Sequence, residues 1–116
     1  MEKKKVLLLA ASDPRQGGRV AEAFRVADGL SIADELDVAL LLTGAAAQAF
    51  AEKAGLSQDW QDGAGLLRHL AALRRRHIPL FVEGEARAAL EEAGIKTAAP
   101  GEAEALRRNA AVVIEF

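Results

Sequence analysis

Three stretches of the chain are apolar at nearly every position: Lys4 to Ala11, Asp37 to Thr43 and Ile78 to Val82. Unbroken apolar runs of that length, without polar alternation, predict strands buried on both faces, as in a parallel sheet sandwiched by helices. Between them the period changes. Val20, Phe24, Ala27 and Leu30 recur at helical spacing while Arg19, Glu22 and Arg25 occupy other faces, which predicts an amphipathic helix. Ser12-Asp13-Pro14 separates that helix from the first strand, because Pro14 lacks a ladder donor and restricts the residue before it. Gly44 opens a second helix, Ala45 to Ala54, with Gly55 as its left-handed cap. Leu66, Leu67, Leu70 and Leu73 mark a third helix, closed by Arg74-Arg75-Arg76-His77.

The remaining pattern is shorter. Glu85 to Ala93 reads as a helix capped by Gly94, Ile95 to Ala98 as a brief edge strand, and Ala111 to Phe116 as the last strand. Pro100 sits where a helix tolerates proline, and acids follow it while Arg107-Arg108 close the segment, the charge order a helix dipole favours. From Leu56 to Gly65 periodicity lapses into Ser, Gln, Asp, Gly and the single Trp60. Loops of that length are often functional or interfacial. Strands alternating with helices, and no hairpin signal, predict a doubly wound α/β/α domain with right-handed crossovers and a mostly parallel sheet. At 116 residues the whole chain is expected to form one domain.

Composition narrows the chemistry more than the fold. There is no cysteine, so disulfides, thiol nucleophiles and thiolate metal sites are excluded. With 15 basic and 17 acidic residues the formal net charge is −2, which gives no global reason to expect nucleic acid. No apolar run approaches the roughly 20 residues that span a bilayer, and Val6 to Ala11 is too short for a secretory core with its cleavage site. A cytoplasmic protein that does not bind a membrane is expected. Ten Arg against five Lys, with one Asn and one Met, fit a thermophilic source or a GC-rich one equally.

In an open parallel sheet, ligands gather beyond the carboxyl ends of the strands. The predicted strands bring Ser12, Asp13 and Arg15, then Thr43 and Gly44, then Glu83 and Glu85 to one edge. Carboxylates beside Arg15 could perform acid/base work, with Glu83 as the candidate catalytic group, or bind a polar ligand. The competing reading makes Asp13 and Glu83 caps of the helices that follow. Ser12 to Arg19 could hold a phosphate on backbone amides with Arg15 and Arg19, but its glycine spacing fits neither a Walker loop nor a dinucleotide fingerprint, and a plain flexible loop is the favoured reading. His69 and His77, if both helical, lie about 80° apart over two turns, too far for a two-histidine chelate. No metal or cofactor is expected. Arg68 with Arg74 to Arg76 forms a basic cluster that either matches the helix dipole or meets an acidic partner. Trp60 between Asp59 and Asp62 is a candidate interface anchor.

The ordered set KKVLLLAASDP, LDVALLLTGAA, GLLRHLAALRRRHIPLFVEG, EEAGI and EALRRNAAVVIEF resembles the DsrE/DsrF-like family, small proteins that include subunits of sulfur-relay complexes. The resemblance covers nearly the whole chain. It implies a three-layer α/β/α domain around a five-stranded parallel sheet, assembly into homotrimers or hexamers, and a possible protein partner in sulfur handling. Sulfur-carrying members have a cysteine just after the strand that here is Ile78 to Val82, and matching IPLFVEGEARAAL to that pattern puts the cysteine position at Glu83. A carboxylate cannot hold sulfane sulfur, so the resemblance implies the fold without the persulfide chemistry.

Overall fold

A computed structural model describes residues 3–14, 17–53, 63–85 and 88–116. The elements are β1 (Lys4–Ala10), α1 (Arg19–Leu30), β2 (Leu36–Leu42), α2 (Gly44–Lys53), α3 (Gly63–Arg75), β3 (Leu80–Glu83), α4 (Ala88–Glu92), β4 (Lys96–Ala98), α5 (Pro100–Asn109) and β5 (Val112–Glu115). The five strands form one sheet in the order β4-β3-β2-β1-β5. Every pairing is parallel. The expected three-layer α/β/α architecture is the one the chain adopts.

The apolar runs explain the strand order. β1 and β2 stand inside the sheet and pair along their whole length, Lys4 with Leu36 through Ala10 with Leu42. Successive side chains then enter opposite layers. Val6, Leu8 and Ala10, with Val38, Leu40, Leu42, Leu80 and Val82, pack under the helices through Phe24, Phe50, Leu73 and Leu90. Leu7, Leu9 and Leu41 face the other way, against Ala98 and Ala103, with Leu106 of α5 beside them. That second layer is the thinner one. β5 is an edge strand whose Val112 and Val113 remain 38% and 39% exposed.

Several boundaries differ from the sequence pattern for a physical reason. β3 begins at Leu80 instead of Ile78, because Ile78 belongs to the end of α3. Its N–H returns to the Leu73 carbonyl at 2.9 Å, while the His77 N–H bonds Arg74 O at 3.2 Å. This pair of bonds is a Schellman motif with His77 at the left-handed position, φ 58°. α4 ends the same way: Ile95 N–H to Leu90 O at 2.9 Å and Gly94 N–H to Glu91 O at 3.0 Å, with Gly94 at φ 80°. In each motif a buried residue, Ile78 or Ile95, follows the left-handed position and packs with the core that holds Leu73 and Leu90. The two turns differ in what stands at that position. Glycine adopts φ > 0 freely, whereas an L side chain there costs roughly 1–2 kcal/mol, so His77 is a backbone expense that Gly94 is not.

His77 therefore leaves the helix that carries His69, and the helical geometry assumed for the two histidines does not apply. α4 is also shorter than the expected helix, so Glu85 precedes it in a bend. The Gly55 cap and most of the loop expected from Leu56 lie outside the described residues, although α3 is already helical at Gly63, before the expected Gly65. Between α1 and the α3 turn, Arg76 Nε lies 2.6 Å from Asp28 Oδ1. That oxygen is shielded from solvent and receives no hydrogen bond from a described residue, so its contact with Arg76 is ionic. At half-exposed positions such a pair contributes about 0–1 kcal/mol. On the solvent side of α1, the Arg25 guanidinium bonds the Glu22 carboxylate and holds its pKa below the ordinary value.

Two glycine substitutions should move stability in opposite directions. A Cβ at Gly94 would come within 2.9 Å of Arg74 Nε as well as sitting at positive φ, so Gly94→Ala should cost at least about 1–2 kcal/mol. Gly29 lies inside α1 with open space around it, so Gly29→Ala should gain about 0.4–1 kcal/mol. Urea unfolding of both variants checks the pair.

Candidate functional site

The parallel sheet sends all five strand ends to one edge, and the connections at that edge are tied to each other. The Thr43 N–H bonds Ala10 O at 3.0 Å, and the Ala46 N–H bonds Ala11 O at 3.1 Å. The start of α2 is thereby fastened to the tip of β1. Gly44 turns the chain from β2 into α2 at φ 54°, a conformation only glycine adopts cheaply. On the neighbouring strand, the Gly84 N–H still bonds Ala98 O of β4 at 2.8 Å, and Gly84 turns the chain out of β3 at φ 146°.

Between α2 and the end of β3 lies an open cleft of about 310 Å³. Val82 and Leu90 form its apolar floor, Gly44, Ala47, Gln48 and Ala51 its α2 wall, and Glu83, Gly84 and Glu85 its rim. The small residues along α2 leave the space: a larger side chain at Ala47 or Ala51 would fill it. Glu83 follows Phe81 in the pleat, on the α5 side of the sheet, and Val82 faces the α2 side. Glu83 nevertheless lines the rim, at the strand end, and is half-buried, while Glu85 is exposed.

The expected residues divide into three groups. Glu83, Glu85 and Gly44 come together around the cleft. Ser12, Asp13 and Thr43 reach the same edge of the sheet but do not line it; Thr43 is only 7% exposed and belongs to the packed turn into α2. Arg15, the expected anion holder, and Trp60, the expected interface anchor, lie outside the described residues. The capping alternative does not account for the two acids either. α1 is capped at Gly18 without a side-chain bond, so Asp13 is not its N-cap, and Glu83 is the last residue of β3, followed by a bend at Gly84 and Glu85.

Gln48 is the cleft residue that sequence reasoning missed. It stands one turn after Gly44, the only amide in the otherwise alanine-rich start of α2, and its Nε2 lies 3.4 Å from Glu52 Oε1. A polar residue one turn past a strand-end glycine was the available signal. Two carboxylates and a carboxamide over an apolar floor make an acceptor-rich pocket, suited to a small ligand that donates hydrogen bonds. Among the described residues, no group of three or more His, Asp or Glu could hold a metal ion. No described helix is long and apolar enough to cross a membrane.

Glu85 is exposed and should contribute little to folding. Glu85→Gln is expected to keep stability within about 0.5 kcal/mol of wild type, checked by thermal melting, which makes it a clean probe of ligand binding.

No protein-family model matches the chain, and no curated protein matches it in sequence. Among solved structures, it is similar to the crystal structure of the ychN protein from E. coli, with a TM-score of 0.71 at 19% identity. The match covers 97% of this chain and 99% of that one. At this identity the likeness concerns the fold: the chain has the three-layer, five-stranded DsrE/DsrF-like architecture.

Proposed function

We propose that the chain is a cysteine-free DsrE/DsrF-like protein that works as a binding or accessory subunit, not as a sulfur carrier. The observation that carries this reading is Glu83. It ends β3 at the position where the family resemblance calls for a thiol, and with Glu85 it borders a strand-end cleft. Sulfur transfer needs a polarizable thiolate that attacks a donor's sulfane sulfur, displacing the donor thiolate, and then yields that outer sulfur to an acceptor nucleophile. A carboxylate offers neither, and no cysteine elsewhere in the sequence could substitute. What Glu83 and Glu85 can do is accept hydrogen bonds or attract a cationic group.

Incubation with a persulfide donor followed by intact-mass measurement should leave the protein's mass unchanged. A stable gain of 32 Da per chain, about one sulfur atom, would overturn this reading because it requires an acceptor that the chain lacks.

The cleft itself favours a second reading, in which a small polar ligand is bound and processed with Glu83 as acid or base. Ligands that bind only the native state raise its melting temperature by mass action. If an amine- or hydroxyl-bearing ligand raises it, Glu83→Gln and Glu85→Gln should each reduce the shift, and turnover of that ligand should fall only in Glu83→Gln. Homo-oligomerisation into trimers or hexamers belongs to the same proposal. Light scattering should report more than one chain per particle, and a smaller particle for Trp60→Ala if Trp60 anchors the contact.

A further inference from the structure

The opposite end of the sheet carries a second cleft of different chemistry. Here the chain enters β3 and β4 through the two Schellman turns, and an open space of about 300 Å³ lies between them. Arg74, His77 and Lys96 line it, together with Ile78, Pro79 and Gly94. All three basic residues are exposed, and none forms an ion pair or side-chain hydrogen bond with a described residue. Lys96 does have the Phe81 ring beneath it, 5.7 Å from Nζ to the centroid.

Helix-dipole compensation alone does not account for this group. Cations in the last turn favour a helix C-terminus, and Arg74 and Arg75 stand in the last turn of α3, while Arg76 just beyond it holds Asp28. Arg74 also has a second neighbour. Its side chain lies across Gly94, where any Cβ would collide with it, so the glycine that closes α4 also makes room for the Arg74 guanidinium. Lys96 arrives from β4, outside either helix. His77 occupies a left-handed position at which the neighbouring turn uses glycine. A residue retained against its backbone preference, beside two cations with no ion-pair partner among the described residues, is what a binding site produces when stability yields to ligand contact.

We infer that the cleft between the α3–β3 and α4–β4 turns, lined by Arg74, His77 and Lys96, is a binding site for a phosphoryl oxyanion. A guanidinium, an imidazole N–H and an ammonium supply donors for the several oxygens of such a group. Ile78 and Pro79 offer apolar surface to whatever carries it. The site is separate from the acidic cleft, since it lies at the amino ends of β3 and β4 instead of at their carboxyl ends.

The test is calorimetric titration at constant ionic strength, with chloride replaced stepwise by inorganic phosphate and, in parallel, by phenyl phosphate. Wild type should show saturable binding with one phosphate per chain. Lys96→Gln and His77→Gly should each weaken it at least fivefold, and His77→Gly should at the same time raise the melting temperature, because glycine relieves the left-handed backbone. Arg19→Gln, which removes a cation from the start of α1, should bind as wild type does. Tighter binding of phenyl phosphate than of phosphate would support an organic monoester as the ligand, and equal binding a free anion. Absence of saturable binding, unchanged affinity in both Lys96→Gln and His77→Gly, or a loss confined to Arg19→Gln would each overturn the inference.

Discussion

The pairing of β1 with β2 is the constraint on which the rest of the structure depends. Seven consecutive positions of each strand are in register, from Lys4 opposite Leu36 to Ala10 opposite Leu42. Both strands are apolar on both faces, so their register decides which leucines enter which layer. A shift by one residue would exchange the sets, sending Leu8 to the α5 side and Leu7 toward α1. The same pairing places the tip of β1 against the start of α2, where Ala10 and Ala11 carbonyls accept from Thr43 and Ala46. The wall of the acidic cleft is therefore set by a strand pair that contributes no side chain to it.

Parallel strands also give the molecule two chemically different ends. Strand ends converge on one edge, and there Glu83 and Glu85 stand over a small-residue wall. Helix ends converge on the other, and there Arg74, His77 and Lys96 collect around two tight turns. Helix dipoles encourage part of this division, since last-turn cations are favourable and all the crossovers run the same way. The remainder is carried by individual residues: an acid where the resemblance expects a thiol, and a histidine where the turn prefers glycine. Neither departure improves folding. Both lie beside open space.

Much of the architecture was legible because burial on two faces leaves an unmistakable pattern. VLLLA and VALLL could hardly be anything but interior strands, and Val20, Phe24 and Ala27 mark the buried side of α1. The candidate site was legible only as a set of strand-end residues. Knowing that Thr43 and Glu83 share an edge does not reveal that one is packed into a turn and the other borders a cleft, because that depends on where α2 lies relative to β3. Gln48 was invisible for the same reason: its part in the cleft comes from a helix wall brought against a strand that follows some thirty residues later. Boundaries near His77 were misplaced because Ile78 is equally apolar whether it begins a strand or completes a Schellman turn.

The sequence by itself determined the α/β class, the burial of three strands on both faces, the absence of thiol chemistry and the presence of a carboxylate after the third apolar run. These are properties of composition and period, and they are written locally. Only the tertiary structure decided that Glu83 and Glu85 share a cleft with Gln48, and that Arg74 and Lys96 line a common cleft beside Gly94. It also decided that His77 sits in a left-handed turn outside its helix. Each of these is a meeting between residues distant in the chain, or a backbone angle imposed by such a meeting, and periodicity carries no record of either.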